Sequence, residues 1–358
     1  MVLIARAPMH ICLGGDGTDF PAYYERHGGL VVSATIGYYV YVILSAGSRE
    51  GMHIIAADPR ALCQRSTRGD LFWDDDLSLP KAITDHFNLY DGLNIFLASQ
   101  VPPGTGLGSP GSVAVSMIKA LAFWCGLDLA PRQVAEMACH IELEKLAMPV
   151  GKQDQYAAAF GGLNCIRFSR GDVSVDALRI SPETREALES RLMLFFAGTS
   201  RQPSGALQPR EQAGEERDNG TLRRLEAIKE LGLEICAVLE QGDLEAFGNL
   251  LHQSWVEQRQ LMDGFTSPFL DQCYQTARQH GALGGKVTGA GSGGFLVLYC
   301  PEGRQAAVTQ ALTTLGLQRW PVALDDEGVQ VMEGVSWSRQ HVPHHVSFAV
   351  EANRVGAS

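Results

Sequence analysis

Apolar positions along this chain follow two rhythms. Residues 2–7, 30–36 and 38–45 concentrate apolar, β-branched and aromatic side chains, which predicts strands. The run 28–48 is uncharged and apolar, but Gly37 interrupts it. It reads as two buried strands and not as the helix of about 20 residues that crosses a bilayer. Residues 94–98 form a further short strand. Residues 113–124 are apolar nearly all round and stop before Gly126, which predicts a central, buried helix. A helix opening at Pro131 carries one apolar stripe of Val134, Met137, Ala138 and Ile141. Residues 164–168 and 173–178 flank Gly171-Asp172, a hairpin signal.

Near residue 185 the character changes. Residues 192–197 predict a strand, whereas 198–220 are polar and rich in Gly, Gln, Arg and Glu, as in a mobile loop or lid. Helical spacing returns at Leu222, Leu225, Ile228, Ile235 and Val238. Asp243 then stands where it can cap a helix carrying Phe247, Leu250, Leu251 and Trp255. Residues 295–299 predict a strand, and alternation without a usable motif runs on from about 320. This mixed order predicts an α+β protein of two domains, 1–185 and 186–358. The length of 358 residues agrees, at roughly 150 residues per domain.

Charge narrows the function. There are 29 Lys and Arg against 40 Asp and Glu, a net charge of −11. A nucleic-acid or anionic-membrane binder needs a basic face, so neither partner is expected. An anionic small substrate is still allowed, because it responds to local donors. The N-terminus lacks the basic and long apolar regions of a signal peptide. The eight cysteines are scattered with no C-x-x-C pair, which predicts reduced thiols and a cytoplasmic protein. The oligomeric state, monomer or homodimer, is left open.

Two glycine loops carry the candidate chemistry. Gly106-x-Gly108-x-x-Gly111 and Gly289-x-Gly291-x-x-Gly294 both match the dinucleotide fingerprint in form. That reading also wants an acidic residue at the end of a second strand about 20 residues on, and residues 127–133 lead into a helix instead. A Walker A loop is absent, since Gly285-Lys286 has His280 where its first glycine belongs. What remains is physical. Small residues at 104–112 open a buried helix, whose first N–H groups and dipole can cradle a phosphate. Glu142 falls on or beside an apolar helical stripe, where a carboxylate wants a metal or a cation. Asp154 lies in a turn next to Lys152 and suits either a helix cap or a general base for a hydroxyl.

Taken in order, Arg6-Ala7-Pro8 with its glycine loop, Pro103-x-x-Gly106-Leu107-Gly108-Ser109, and 286–294 resemble the GHMP small-molecule kinases. The resemblance covers roughly 2–170 and 190–300. Within that family the chain is most similar to the sugar-1-kinases acting on D-glycero-D-manno-heptose 7-phosphate, through 17–24, 151–159 and 198–201. The resemblance implies a ribosomal-protein-like N-terminal domain and a ferredoxin-like C-terminal domain with ATP between them. It implies ATP-dependent transfer to an anomeric hydroxyl, with Asp154, Lys152 and Arg6 in catalytic roles. Pro103, Gly104, Gly106, Leu107, Gly108, Ser109, Gly111 and Ser112 would bind the nucleotide, and Glu142 with Ser109 would hold Mg²⁺. Thr18, Asp19, Arg201, Gly289, Gly291 and Ser292 would bind the sugar, with Lys152 and Arg201 as cations for its phosphate.

Two departures stand out. Pro110 occupies the place of a second serine, which supplies the Mg²⁺ hydroxyl in the family, and it brings neither hydroxyl nor N–H. Asp16 puts a negative charge where the loop would carry another glycine. The alternatives are therefore a kinase for another sugar, fucose- or galactose-like, or a nucleotide or sugar-phosphate binding protein impaired by Pro110.

Overall fold

Two long strands organise the chain. The computed structural model describes residues 2–47, 51–56, 62–65, 77–102, 104–198, 215–261, 266–288 and 294–334. Strand β1 (Val2–Gly14) pairs antiparallel with β2 (Gly29–Ala46) over nearly its whole length. Each is long enough to serve two neighbourhoods. The first half of β2 also pairs with β6 (Leu163–Ser169), and its second half with β5 (Leu93–Ser99). Strands β3 (Met52–Ala56), β4 (Leu62–Arg65) and β7 (Asp172–Ala177) extend the sheet outward. A second, four-stranded sheet has the order β11 (Gln318–Trp320), β8 (Leu192–Phe196), β10 (Phe295–Tyr299), β9 (Gly284–Val287).

Three apolar clusters follow from this layout. One lies between the first sheet and helices α2 (Ser78–His86), α3 (Ser109–Trp124), α4 (Pro131–Cys139) and α5 (Gln153–Phe160). The second joins the far halves of β1 and β2, through Met9, Ile11 and Leu13, to Leu194 and Phe295 of the second sheet. Helices α7 (Glu215–Gln241) and α8 (Leu244–Gln258) contribute Ile235, Phe247 and Leu251 to it. The third, containing Trp255, Phe195 and Leu312, sits on the other face of the second sheet with α9 (Pro268–Gln279) and α10 (Gln305–Thr314). Local signals fix the helix starts. Asp243 accepts from Ala246 N at 2.9 Å, and Ser267 accepts from Leu270 N at 3.2 Å.

The α+β expectation holds, with several boundaries moved. The two strands expected at 30–36 and 38–45 are one, with a register shift at Pro8/Met9 that absorbs the bend near Gly37. Strand β1 runs to Gly14, beyond the expected 7, because pairing with β2 overrides the local glycine signal. Helix α3 starts at Ser109, earlier than 113, with Pro110 in its first turn. Residues 215–220 are helical, whereas the rest of the expected lid, 199–214, lies outside the described residues. Strand β12 (Gln330–Glu333) pairs with β1, so this part of the expected 186–358 domain returns to the first sheet. The edge of β1 offers unpaired hydrogen-bonding groups, and the late chain fills them. No helix among the described residues is long and apolar enough to cross a membrane.

Because the second cluster is shared by both sheets, they should lose structure together. Ile11→Ala is expected to destabilise by about 2–5 kcal/mol, with fluorescence and far-UV circular dichroism reporting one coincident urea transition. Two separated transitions would contradict a shared core.

Candidate active site

The first turn of α3 and the first turn of α5 meet at van der Waals distance. Gly108, the residue before α3, has φ +77°, which favours glycine. A Cβ there would lie 2.5 Å from the His10 ring, and a Cβ at Gly111 would lie 2.6 Å from Asp154 Cβ. Both positions therefore lack a side chain so that the loop can close over His10 and Asp154. The loop is anchored by His10 N–H donating to Leu107 O at 3.2 Å. Ser109 and Gly111 present first-turn N–H groups with no helical acceptor, and Pro110 presents none. The second sheet touches the same loop. Thr288 Oγ1 donates to Thr105 O at 3.0 Å, and Gly294 packs on Thr105.

Beneath this turn lies an acidic crevice. The loop after β1 supplies Asp16 and Asp19, α5 supplies Asp154, and a π-helical segment, His140–Lys145, supplies Glu142. π-Helical turns recur at functional sites. Glu142 is buried and accepts from Gln155 Nε2, while its Oε1 has no partner. Burial pushes Glu142 up to about 8. Asp19 is fully buried. Its Oδ2 accepts from Gln153 N at 3.1 Å and its Oδ1 is unpartnered, with burial pushing it up to about 7. Asp154 remains 33% exposed, so it is open to a substrate, and burial together with the Asp16 charge pushes it up to about 6. His10 Nε2 faces Asp154 Oδ1 at 3.4 Å, and burial lowers the imidazole to about 4, so it is neutral near pH 7. Lys286 of β9 forms a buried ion pair with Asp16. Burial opposes its charge, but Asp16 and the neighbouring acidic groups together offset that and hold the ammonium above its ordinary value.

The expected residues divide accordingly. Asp154, Glu142, Asp19, Gly106, Leu107, Gly108, Ser109 and Gly111 come together around the crevice and its covering loop, with Gly104 at the loop's exposed end. Thr18 does not face a ligand. It is fully buried, and its hydroxyl lies 2.8 Å from both Gly15 O and Leu30 O, sharing its one proton between them, and accepts from Leu30 N, pinning the loop. Ser112 is withdrawn too, donating to Pro8 O at 2.9 Å. Arg6 lies on the part of β1 paired with β12, where it bonds Glu327 at 2.7 Å and stacks over Tyr39, away from Asp154. Lys152 sits 5.2 Å from the Tyr24 ring centroid and lines a cavity of about 200 Å³ with Arg132, His140 and Glu144, with no ion pair to Asp154. Lys152 is the residue before α5, whereas Asp154 lies in its first turn. Pro103, Arg201, Gly289, Gly291 and Ser292 lie outside the described residues.

His10, Gln155 and the Asp16–Lys286 pair were not foreseen. One signal for His10 existed, a lone titratable residue inside the apolar run Pro8-Met9-His10-Ile11. The pair joins positions 270 residues apart, and no local pattern encodes it.

Comparison with known proteins places the chain in a family. Residues 78–162 match the family described as GHMP kinases N terminal domain, and 234–316 match GHMP kinases C terminal. A D-glycero-alpha-D-manno-heptose 7-phosphate kinase of Campylobacter jejuni is 30% identical over 315 residues, 86% of this chain and 92% of that protein. A crystal structure of a D-glycero-D-manno-heptose 1-phosphate kinase from Bacteriodes thetaiotaomicron superposes with a TM-score of 0.77 at 27% identity, covering 93% of this chain and all of that one. A Lactococcus lactis galactokinase shares the fold, with a TM-score of 0.72 at 17% identity over 92% of this chain and 95% of that one.

Two predictions follow from the crevice. Lys286→Met leaves Asp16 buried without its counter-ion and should cost about 3–5 kcal/mol in urea denaturation, with Asp16→Asn/Lys286→Met recovering more than half. A loss below about 1 kcal/mol for the single variant would contradict a buried pair. Secondly, Asp19, Asp154 and Glu142 titrate at about 7, 6 and 8 when folded, against ordinary carboxylate values near ~4. Between those limits the native state binds more protons than the unfolded chain, so these groups remove stability as pH rises. The unliganded protein should melt higher at pH 5.5 than at pH 8, and Glu142→Gln should flatten the slope. A melting temperature that rises across this range in both proteins would contradict the burial of these acids.

Proposed function

The chain belongs to the GHMP kinase family, and from that premise we propose that it transfers the terminal phosphoryl group of ATP to the anomeric hydroxyl of a heptose 7-phosphate, with Mg²⁺ bound. The observation that carries the reading is the contact between the α3 turn and Asp154. A group held on the N–H donors of that turn has an open carboxylate directly beside it. The similarity to heptose phosphate kinases supplies the substrate class.

The chain's own work is positioning and charge placement. The loop 104–109 and the N–H groups of Ser109 and Gly111 hold the nucleotide phosphates. Asp154, ionised, accepts the proton of the sugar hydroxyl as its oxygen bonds to the γ-phosphorus. The bond from that phosphorus to the β–γ bridging oxygen breaks, and ADP leaves. Asp19 fixes the turn that presents Asp154, by accepting from Gln153 N. The substrate's own phosphate needs cations, for which Lys152 and Arg201 are the candidates.

A divalent cation fits this donor set. Glu142 Oε1 is buried and unpartnered, a donor that suits a hard cation. Glu142 and Ser109 would hold it together with phosphate oxygens, since no group of three or more His, Cys, Asp or Glu among the described residues could hold a metal alone. When bound, the ion offsets charge on the transferring phosphoryl group.

Pro110 favours a second reading, a binding protein without transfer, because it removes one N–H from the phosphate turn. Turnover decides between them. ADP release should appear with D-glycero-D-manno-heptose 7-phosphate in a panel of heptoses and hexoses. Asp154→Asn should lower kcat by about 10²–10⁴-fold while calorimetry still detects MgATP. No turnover on any sugar phosphate, and none gained in Pro110→Ser, would establish the second reading.

A further inference from the structure

Glu142 is held at its backbone and at its side chain, yet one of its carboxylate oxygens is left over. Met148 N–H donates to Glu142 O at 2.8 Å, which ties the π-helical segment to the turn after it. Gln155 Nε2 donates to Glu142 Oε2. The two remaining oxygens, Glu142 Oε1 and Gln155 Oε1, are buried and unpartnered, in residues each 1% exposed. The direction of the amide follows from the carboxylate. Turned over, it would set Gln155 Oε1 against Glu142 Oε2, two acceptors face to face. An unbranched apolar side chain such as methionine would fill the same length next to the buried Tyr156 and Ala157, with no orphaned carbonyl. The fold keeps the amide, and the bond that amide makes is to Glu142. Gln155 also follows Asp154 directly in the first turn of α5. A Cβ at Gly111 would lie 2.6 Å from Asp154 Cβ and 3.1 Å from Gln155 N, so both residues abut the start of α3.

We propose that Gln155 is a positioning residue for the divalent cation, clamping Oε2 of Glu142 so that Oε1 alone is offered to the ion. The proposal rests on the reading of Glu142 as a ligand of the ion that accompanies the nucleotide. A carboxylate free to turn takes a cation through either oxygen or through both, and each mode places the ion differently. Mg²⁺ demands near-octahedral ligands and tolerates little error in their placement. The N–H on Oε2 leaves one mode. A partner that grips a ligand without touching the ion sets the ligand's orientation, and its loss is felt as lost affinity for the metal. The clamp and the proton acceptor are neighbours in one helical turn, so the backbone of α5 fixes the spacing between the Glu142 carboxylate and Asp154.

The test is Mn²⁺ binding to the full-length protein in the presence of ADP, read as free Mn²⁺ by electron paramagnetic resonance. It is paired with calorimetry of ADP in EDTA. Gln155→Met should weaken Mn²⁺ binding to the protein–ADP complex by about 10-fold and leave metal-free ADP binding within about 2-fold. In turnover, the Mg²⁺ concentration for half-maximal rate should rise in parallel. Gln155→Asn, whose amide is shorter by a methylene, should weaken Mn²⁺ less, and it carries the test if Gln155→Met does not fold. In a Glu142→Gln background the nucleotide phosphates still hold the ion, and there Gln155→Met should add less than about 2-fold, because the clamp has no carboxylate to orient. Mn²⁺ affinity unmoved by both variants, equal losses with and without metal, or an undiminished effect in the Glu142→Gln background would overturn the proposal. A wild-type protein whose ADP binding is indifferent to Mn²⁺ would overturn it too. The binding measurements need no sugar. A protein that turns over no sugar phosphate but loses Mn²⁺ in Gln155→Met would discard the transfer reading and keep the clamp, while an active protein with Mn²⁺ affinity indifferent to Gln155 would do the reverse.

Discussion

Four carboxyl groups and one ammonium share the crevice where the loop after β1, the start of α5 and strand β9 converge. Putting them there is unfavourable by itself. Each charge loses hydration, and like charges oppose one another. The fold answers each group differently. Asp16 has Lys286, Asp19 has the Gln153 N–H, Glu142 has Gln155, and Asp154 is left partly open. The site's chemistry resides in that last, incomplete answer. A carboxylate that was fully satisfied would be a cap and nothing more.

The phosphate turn and the acid are brought together by absent side chains. Gly108 and Gly111 remove the volume that would hold α3 off His10 and Asp154, and Ser112 ties α3 to Pro8 of β1. The second sheet joins through Thr288 and Gly294 against Thr105, and through the shared apolar cluster of Ile11, Leu194 and Phe295. The first turn of α3, the Asp154 carboxylate and the ends of β9 and β10 are therefore parts of one packed unit. A nucleotide in the crevice would contact elements from both halves of the chain.

Local signals made much of this legible. Small residues before an apolar run marked the phosphate turn, and the break around Gly151 and Asp154 marked the second. The apolar spacing of Val134, Ala138 and Ile141 marked Glu142 as a buried acid. The residues that stand apart from the crevice, and the contacts that no window of the sequence shows, share a physical cause. Arg6 and Lys152 are cations close in sequence to the site, but their side chains are engaged with Glu327 and the Tyr24 ring. Thr18 has a ligand-like hydroxyl that the backbone consumes. The Asp16–Lys286 pair and the return of β12 to β1 are long-range events, fixed by tertiary packing and not by any window of the sequence.

The central claim is that Asp154 faces a hydroxyl whose oxygen faces a phosphoryl group held on the α3 turn. A crystal structure with a non-hydrolysable ATP analogue, Mg²⁺ and D-glycero-D-manno-heptose 7-phosphate measures this directly. The account predicts the terminal phosphate on the Ser109 and Gly111 N–H groups and the anomeric oxygen about 2.6–3.2 Å from an Asp154 oxygen. A nucleotide bound elsewhere, or an anomeric oxygen turned away from Asp154 in the complete complex, would contradict it.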